Sequence, residues 1–301
     1  MAIDKRKSIT WGKRIVLVLL ILGGLFYGML SFAEKNPEPI RQGLEEYLTE
    51  AAGSPAQITT MTKVELVPYT AFGLKGVSLR APDDPGKSLV TANAVYVSLP
   101  LKTLLFGARE YYALQAEKLE IAGGYFLPKK LALSYAGISD KTPEDGAANL
   151  VAEGNYNGQD FLLTAALERK RGKKFYSYKI GDASVFTFKI GTVEGDGVFN
   201  RKAGSFENIT LVRGPHKAEF SMSHLFGKGP LTLDGKINGV AFTGVTEKTD
   251  GKTVLVITPV YAERDDDKRI ENFVKVIGHD MGIDNAVGFA IKIAGIEEQK
   301  E

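Results

Sequence analysis

From residue 54 to about residue 262 the sequence presents one alternating segment after another, and no gap between them is long enough for a helical crossover. "AQITTMTKVELVP" and "GLKGVSLRAP" are followed by "SLVTANAVYVSL", where Val95, Val97 and Leu99 share a face. "AANLVAEGNY" and "QDFLLTAALERK" are joined by Asn157-Gly158, a strong hairpin signal. Counted this way, the region holds about fifteen segments of strand length separated by turn residues. Parallel neighbours need connections of a dozen residues or more, so the strands are expected to run antiparallel. One long curved sheet, a barrel and a sandwich all satisfy this pattern. As one sheet it would extend about 70 Å at about 4.8 Å per strand.

The two ends break the alternation. Lys5, Arg6, Lys7, Lys13 and Arg14 precede "IVLVLLILGGLFYGMLSFA", an uncharged run over 15–33. At about 1.5 Å per helical residue that run spans a hydrocarbon core of about 30 Å. Trp11 stands where an interfacial anchor belongs, and Ile15, Leu30 and Phe32 lie within the span. The basic flank places the N-terminus in the cytoplasm and the rest across the membrane. A cleaved signal peptide is the rival reading, since Ser31 and Ala33 are small residues at cleavage spacing. Next, "NPEPIRQGLEEYLTEAAG" predicts a short helix, with Pro39 near its start and Ile40, Leu44, Tyr47 and Leu48 on one face. Gly53 ends it. At the other end Ile270, Phe273, Val274 and Ile277 recur at helical spacing behind Asp265, Asp266 and Asp267, which suit a helix start. A second short helix is expected over 283–294, and these helices would cover one end of the sheet. The chain thus divides into a tail and anchor (1–35), a first region (36–122), a continuing β-meander (123–262) and a helical cap (263–301).

Chemistry is sparse along the chain. There is no cysteine, so disulfides, thiolate metal sites and cysteine nucleophiles are excluded. Lys plus Arg total 38 against 36 for Asp plus Glu, which leaves no footprint for nucleic acid. His216, His224 and His279 are the only histidines. The first two are too far apart in an extended run to share a metal, and "GHDMG" around His279 and Asp280 reads as a helix break. Asp265–Asp267 lack the spaced carboxylates of a calcium loop. The Asp-Gly pairs in "VEGDGVFN" and "KTDGKT" read as hairpin turns, and Asn208 begins a glycosylation-type triplet. Phosphate-binding glycine loops, nucleophile elbows and zinc motifs are missing. No enzymatic activity, metal or cofactor is expected. Arg169, Lys170, Arg171, Lys173 and Lys174 form a basic cluster that suits a solvated hairpin tip, lipid headgroups or an anionic glycan.

The order of a single span, a helix ending in Gly53, "LKGVSLRAPDD", "TANAVYVSLPLKTLLFG" and "ALQAEKLEI" resembles the start of AsmA-like bacterial envelope proteins, over about residues 15–122. In that pattern 101–106 is an apolar turn of helix that bridges two strands, ended by Gly107. The resemblance implies a mainly β body in the periplasm, hung from the inner membrane by one transmembrane helix. Its long antiparallel sheet would curl into a groove, with short helices at its start and at the C-terminal end. Such a groove shields acyl chains, with Phe161, Leu163, Phe186, Phe188, Ile209, Leu211, Leu231 and Leu233 as candidate lining. The same residues equally suit the core of a closed sandwich. The expected role is therefore envelope homeostasis by binding or passing phospholipid, or by assisting outer-membrane assembly. The alternative is a non-catalytic adaptor that docks a protein partner on its sheet.

Overall fold

A computed structural model of the chain describes residues 34–66, 70–100, 103, 110–123, 127, 129–139, 148–171, 176–223, 230–249, 252–260, 265–281 and 289–294. Helix α1 (Glu38–Ala52) comes first. Strands β1 (Ala56–Glu65), β2 (Thr70–Arg80), β3 (Ser88–Leu99), β4 (Ala113–Ile121) and β5 (Leu131–Ser139) follow. Next are β6 (Ala148–Tyr156), β7 (Gln159–Arg171), β8 (Tyr176–Lys179), β9 (Ala183–Ile190) and β10 (Val193–Asn200). Then come β11 (Ser205–Arg213), β12 (His216–Ser223), β13 (Thr232–Ile237), β14 (Val240–Thr249) and β15 (Lys252–Pro259). Helix α2 (Asp266–Asp280) and β16 (Phe289–Ile293) complete the order.

The described strands form one 16-stranded sheet in which almost every strand pairs with its sequence neighbour. The tight turns have the expected chemistry: Asn157 and Gly158, and Asn238 and Gly239, all take positive φ, as a two-residue hairpin requires. Strand β7 is long enough to serve two partners on one side. Phe161–Ala165 pair with β9, and Glu168–Arg171 pair with β8.

Three expectations are corrected. The sheet is mixed, because β16 lies parallel to β15. The helix expected over 283–294 is absent at 289–293, where the chain is strand β16. There Ala290 and Lys292 are exposed while Ile291 and Ile293 pack on the core, a period of two. Helix α2 supplies the crossover that a parallel pair needs. Finally, Asp196-Gly197 lies inside β10, opposite Thr187 and Phe186, and not at a turn. The 101–106 segment is described only at Thr103, whose N–H donates to Pro100 O at 2.8 Å. Asp250-Gly251, the 283–288 part of the expected second helix and the anchor residues Trp11, Ile15, Leu30 and Phe32 lie outside the described residues. Among the described residues no helix is long and apolar enough to cross a membrane.

Both helices cover the same face. Laterally paired residues point the same way. Ile58 pairs with Val77, Val77 with Ala92, Ala92 with Leu119 and Leu119 with Leu133. The file continues through Gly154, Phe161, Ile190 and Val193. Two residues further along β10, Gly195 leads through Leu211, Ala218, Ile237 and Val240. Gly244, on the same face of β14, carries it to Ile257 and Ile293.

At the first end α1 lays Ile40, Leu44 and Leu48 on Ile58, Phe72 and Leu74. Tyr47, expected on that face, is instead 66% exposed. Polar side chains of the helix also bond the free edge of β1. Thr49 Oγ1 accepts from Ala56 N at 2.9 Å, Glu45 Oε1 accepts from Ile58 N at 2.6 Å, and Arg41 Nη1 donates to Ile58 O at 3.0 Å. At the other end α2 buries Ile270, Phe273 and Ile277 among Ile209, Leu211, Leu233, Phe242 and Ile257. Each such side chain contributes about 1.5–3 kcal/mol of burial. The helix lies along the rim of hairpin turns. Asn238 Nδ2 donates to Arg269 O at 3.3 Å, Arg213 pairs with the buried Asp280, and Tyr156 Oη donates to Met281 O at 2.8 Å.

Candidate functional site: an apolar trough with an open middle

Between the two helix-covered ends, neither described helix lies along the inner face of β4 to β9, although Met281 at the end of α2 and Leu127 pack against it. Leu131, Leu133, Ala152, Tyr156 and Ile190 form its buried floor. Leu119, Ile121, Ala136, Phe161, Leu163 and Phe188 stand against that floor, only partly buried. Further along the strands Ile138, Leu150, Ala165 and Leu167 are also half-buried.

All eight candidate lining residues fall on this inner face, as alternation and register require. The structure then divides them. Ile209, Leu211 and Leu233 are buried in the cluster that α2 closes, so they act as core. Phe161, Leu163, Phe186, Phe188 and Leu231 remain partly exposed.

The aromatic part of the floor is built on glycine. Gly195 pairs with Phe188 and Gly197 with Phe186, and a Cβ at either position would collide with the ring, at 2.5 Å from Phe188 Cε1 and 2.9 Å from Phe186 Cζ. The rings therefore lie over strand β10 where a side chain would otherwise stand. Phe186 and Phe188 stack at 6.4 Å, and Phe206 meets Phe186 edge-on at 5.3 Å. These contacts hold the rings as a fixed apolar surface.

One end of the open stretch is polar. Arg169, Lys170 and Arg171 extend β7 beyond Leu167 and are exposed, whereas Lys173 and Lys174 lie outside the described residues. The Arg169 guanidinium sits 3.6 Å from the centre of the Tyr176 ring. Its hydrogen bond and charge hold the Tyr176 hydroxyl below the ordinary phenol value. Nearby, Tyr111 and Tyr178 exchange backbone hydrogen bonds of 2.9 and 2.7 Å. This bridge joins the chain just before β4 to β8, four strands away along the sheet. At the opposite end burial raises the Tyr156 hydroxyl's pKa.

Reactive constellations do not assemble. Among the described residues no group of three His, Asp or Glu side chains could hold a metal. His216 pairs across from Arg213 at a turn, His279 is exposed in the last turn of α2, and His224 lies outside the described residues. Asp265 occupies the start of α2 without a side-chain capping bond, and Asp266 pairs with Arg269. Asn208 has positive φ at an irregularity in β11, and its N–H donates to Ser221 Oγ at 3.2 Å. Two groups escaped the sequence reading. The Arg213–Asp280 pair joins residues far apart in the chain and left no local signal. Gly195 and Gly197 were legible as glycines at alternate positions, the spacing of one strand face.

No family model matches the chain, and no curated protein or solved structure matches it.

Proposed function

We propose that the chain is a bacterial inner-membrane protein of the AsmA-like kind, with a single N-terminal span and a periplasmic body that binds phospholipid. The observation that carries this reading is the apolar inner face of β4 to β9, where Leu119, Phe161, Leu163, Phe186 and Phe188 are only partly buried among the described residues, between α1 at one end and α2 at the other. Acyl chains laid on that floor gain about 0.8 kcal/mol per buried CH₂ and need no specific ligand group. No reaction is proposed, since the trough presents hydrocarbon and few titratable groups. The test is native mass spectrometry of the full chain, purified in a non-ionic detergent and offered phospholipid. Bound phospholipid, lost when Phe186 and Phe188 are both changed to Asp in a folded variant, is the expected result. A folded chain that takes up none refutes it.

A second reading, an envelope adaptor for a protein partner, has its own support. Leu162, Val185 and Val212 are 40%, 56% and 38% exposed on the opposite, outer face of the sheet. Under this reading, changing these three residues to Ser abolishes a partner interaction and leaves phospholipid uptake unchanged.

A further inference from the structure

Two glycines of the sheet answer to the neighbouring backbone. A Cβ at Gly154 or Gly235 would stand 2.1 Å from a carbonyl oxygen, Ala132 O in one case and Glu219 O in the other. Gly197 is of another kind. There the first obstacle is the tip of the Phe186 ring, with Cζ at 2.9 Å and Cε1 at 3.1 Å, and the nearest backbone atom, Glu207 O, is 3.3 Å away. Gly195 is intermediate, with Phe188 Cε1 at 2.5 Å and Thr210 O at 2.8 Å. Strand pairing would thus accept a small side chain at 197 with a slight adjustment, and the ring in its present place would not. Glycine inside a strand lowers stability relative to alanine, and it marks a close approach. At Gly197 the close approach is that of a side chain, so what the glycine secures is the position of a ring.

That position is low. Side chains of a strand ordinarily stand roughly perpendicular to the sheet. Phe186 instead leans across onto β10, with its tip at the level a Cβ would occupy, and Phe188 repeats the posture over Gly195. Phe206 braces Phe186 edge-on at 5.3 Å, and Phe199 meets Phe206 at 5.2 Å. Two leaning rings leave free the height that two upright rings would fill. Both rings are half-buried on the inner face, and their partners across the strand on β7 are Ala165 and Leu163. Apolar packing responds to a change of one methylene, so the height of these rings decides what hydrocarbon fits above them.

We infer that Gly195 and Gly197 are positioning residues that set the depth of the trough over β9 and β10, and that this depth admits methyl-branched as well as straight acyl chains above Phe186 and Phe188. This inference rests on the lipid-binding reading above and adds to it the residues that fix the breadth of hydrocarbon accepted.

The test uses the full chain in a non-ionic detergent, with native mass spectrometry of two phosphatidylethanolamines, one with straight palmitoyl chains and one with methyl-branched phytanoyl chains. The quantity read is the ratio of straight to branched lipid bound, which a general loss of stability would not move. Gly197→Ala lifts the Phe186 ring and should raise that ratio about tenfold over wild type, the scale on which an apolar pocket senses a methyl group. F186A/G197A removes the ring that the new Cβ displaces, so its ratio should equal that of Phe186→Ala alone. Phe186→Leu leaves the glycine in place and lowers the wall, so it should shift the ratio the other way, and it decides the matter if Gly197→Ala does not fold. An unchanged ratio in a folded Gly197→Ala chain overturns the inference and leaves the lipid reading standing. A ratio raised equally with and without Phe186 also overturns it, since the effect would not pass through the ring. A wild-type chain that binds neither lipid overturns both readings.

Discussion

Under α2 the inner face of the sheet is closed: Ile209, Leu211, Leu233 and Phe242 are all at most 9% exposed. A few strands away the same kind of face, made of the same residue types at the same alternate positions, stays half-covered at Leu119, Ile121, Phe161 and Leu163. Alternation alone does not separate the two, since both segments obey it. Over β11 to β16 the length of α2 lies on the face, whereas at the floor of β4 to β9 it is Met281, at the end of that helix, that makes contact. Helix α2 is held over β11 to β16 by three apolar side chains and by polar contacts at its ends, and its last residues reach only as far as Tyr156. Docking of α2 thus adds to burial that packing within the sheet already gives Leu131, Leu133, Ala152, Tyr156 and Ile190, each 6–8% exposed.

The comparison is broken most severely at the helix. Ile270 is 0% exposed, and Ile270→Asp places an unpaired charge in the closed cluster. We expect a loss of about 4 kcal/mol or more, read by urea unfolding, together with rapid proteolysis of the region after β15. Asp280→Asn removes one half of the ion pair with Arg213, whose side chain is 35% exposed. Partial solvation of the arginine reduces the loss to about 2 kcal/mol by the same measurement. In the open segment the balance should invert. Leu163→Asn should cost about 1 kcal/mol or less in unfolding, yet remove most of the lipid uptake, because its side chain is only partly buried.

The smallest effect lies away from the trough. Hydrogen bonds from Lys202 and Arg201 lower the Asp182 carboxyl from 3.8 to about 2. A carboxyl depressed in the folded state stabilises above its unfolded value, and that contribution fades as pH falls towards about 2. Asp182→Asn should therefore lower Tm slightly at neutral pH, with the difference from wild type closing between about pH 4 and 2. An equal difference at both ends of that range would show that the pair contributes nothing through charge.

Much of the architecture was legible because turns and alternation agree. Asn157-Gly158 fixes the register of β6 on β7, and that register alone assigns Phe161 and Leu163 to the inner face. Strand β16 escaped because "NAVGFAIKIAG" places Val287 and Ile291 at a helical interval as well as an extended one, and only pairing with β15 chooses between them. Asp196-Gly197 misled for a related reason. Asp-Gly is a turn signal when its neighbours permit, but here Phe186 occupies the space over Gly197 and the strand continues, with an irregularity in its pairing to β11 between Asp196 and Val198. Tyr47 stands three residues from Leu44 and was expected on its face, yet it is largely exposed. The split of the eight candidate residues was not readable at all, since it depends on where α2 comes to rest, and nothing local to Ile209 or Phe188 records that.

The neighbour-to-neighbour order of the sheet also bears on how the chain is made. Each of β1 to β6 completes its ladder with the strand that follows, so loop closure costs little at every step. A chain delivered from its N-terminus can add one hairpin at a time, with α1 already sealing the leading edge. Only β9, which passes over β8 to reach β7, and the parallel β16 depart from that order. Strand β16 must wait for α2, so the closed third of the molecule is assembled last, and a ribosome stalled before residue 265 would leave a growing, still adhesive margin on an otherwise finished sheet.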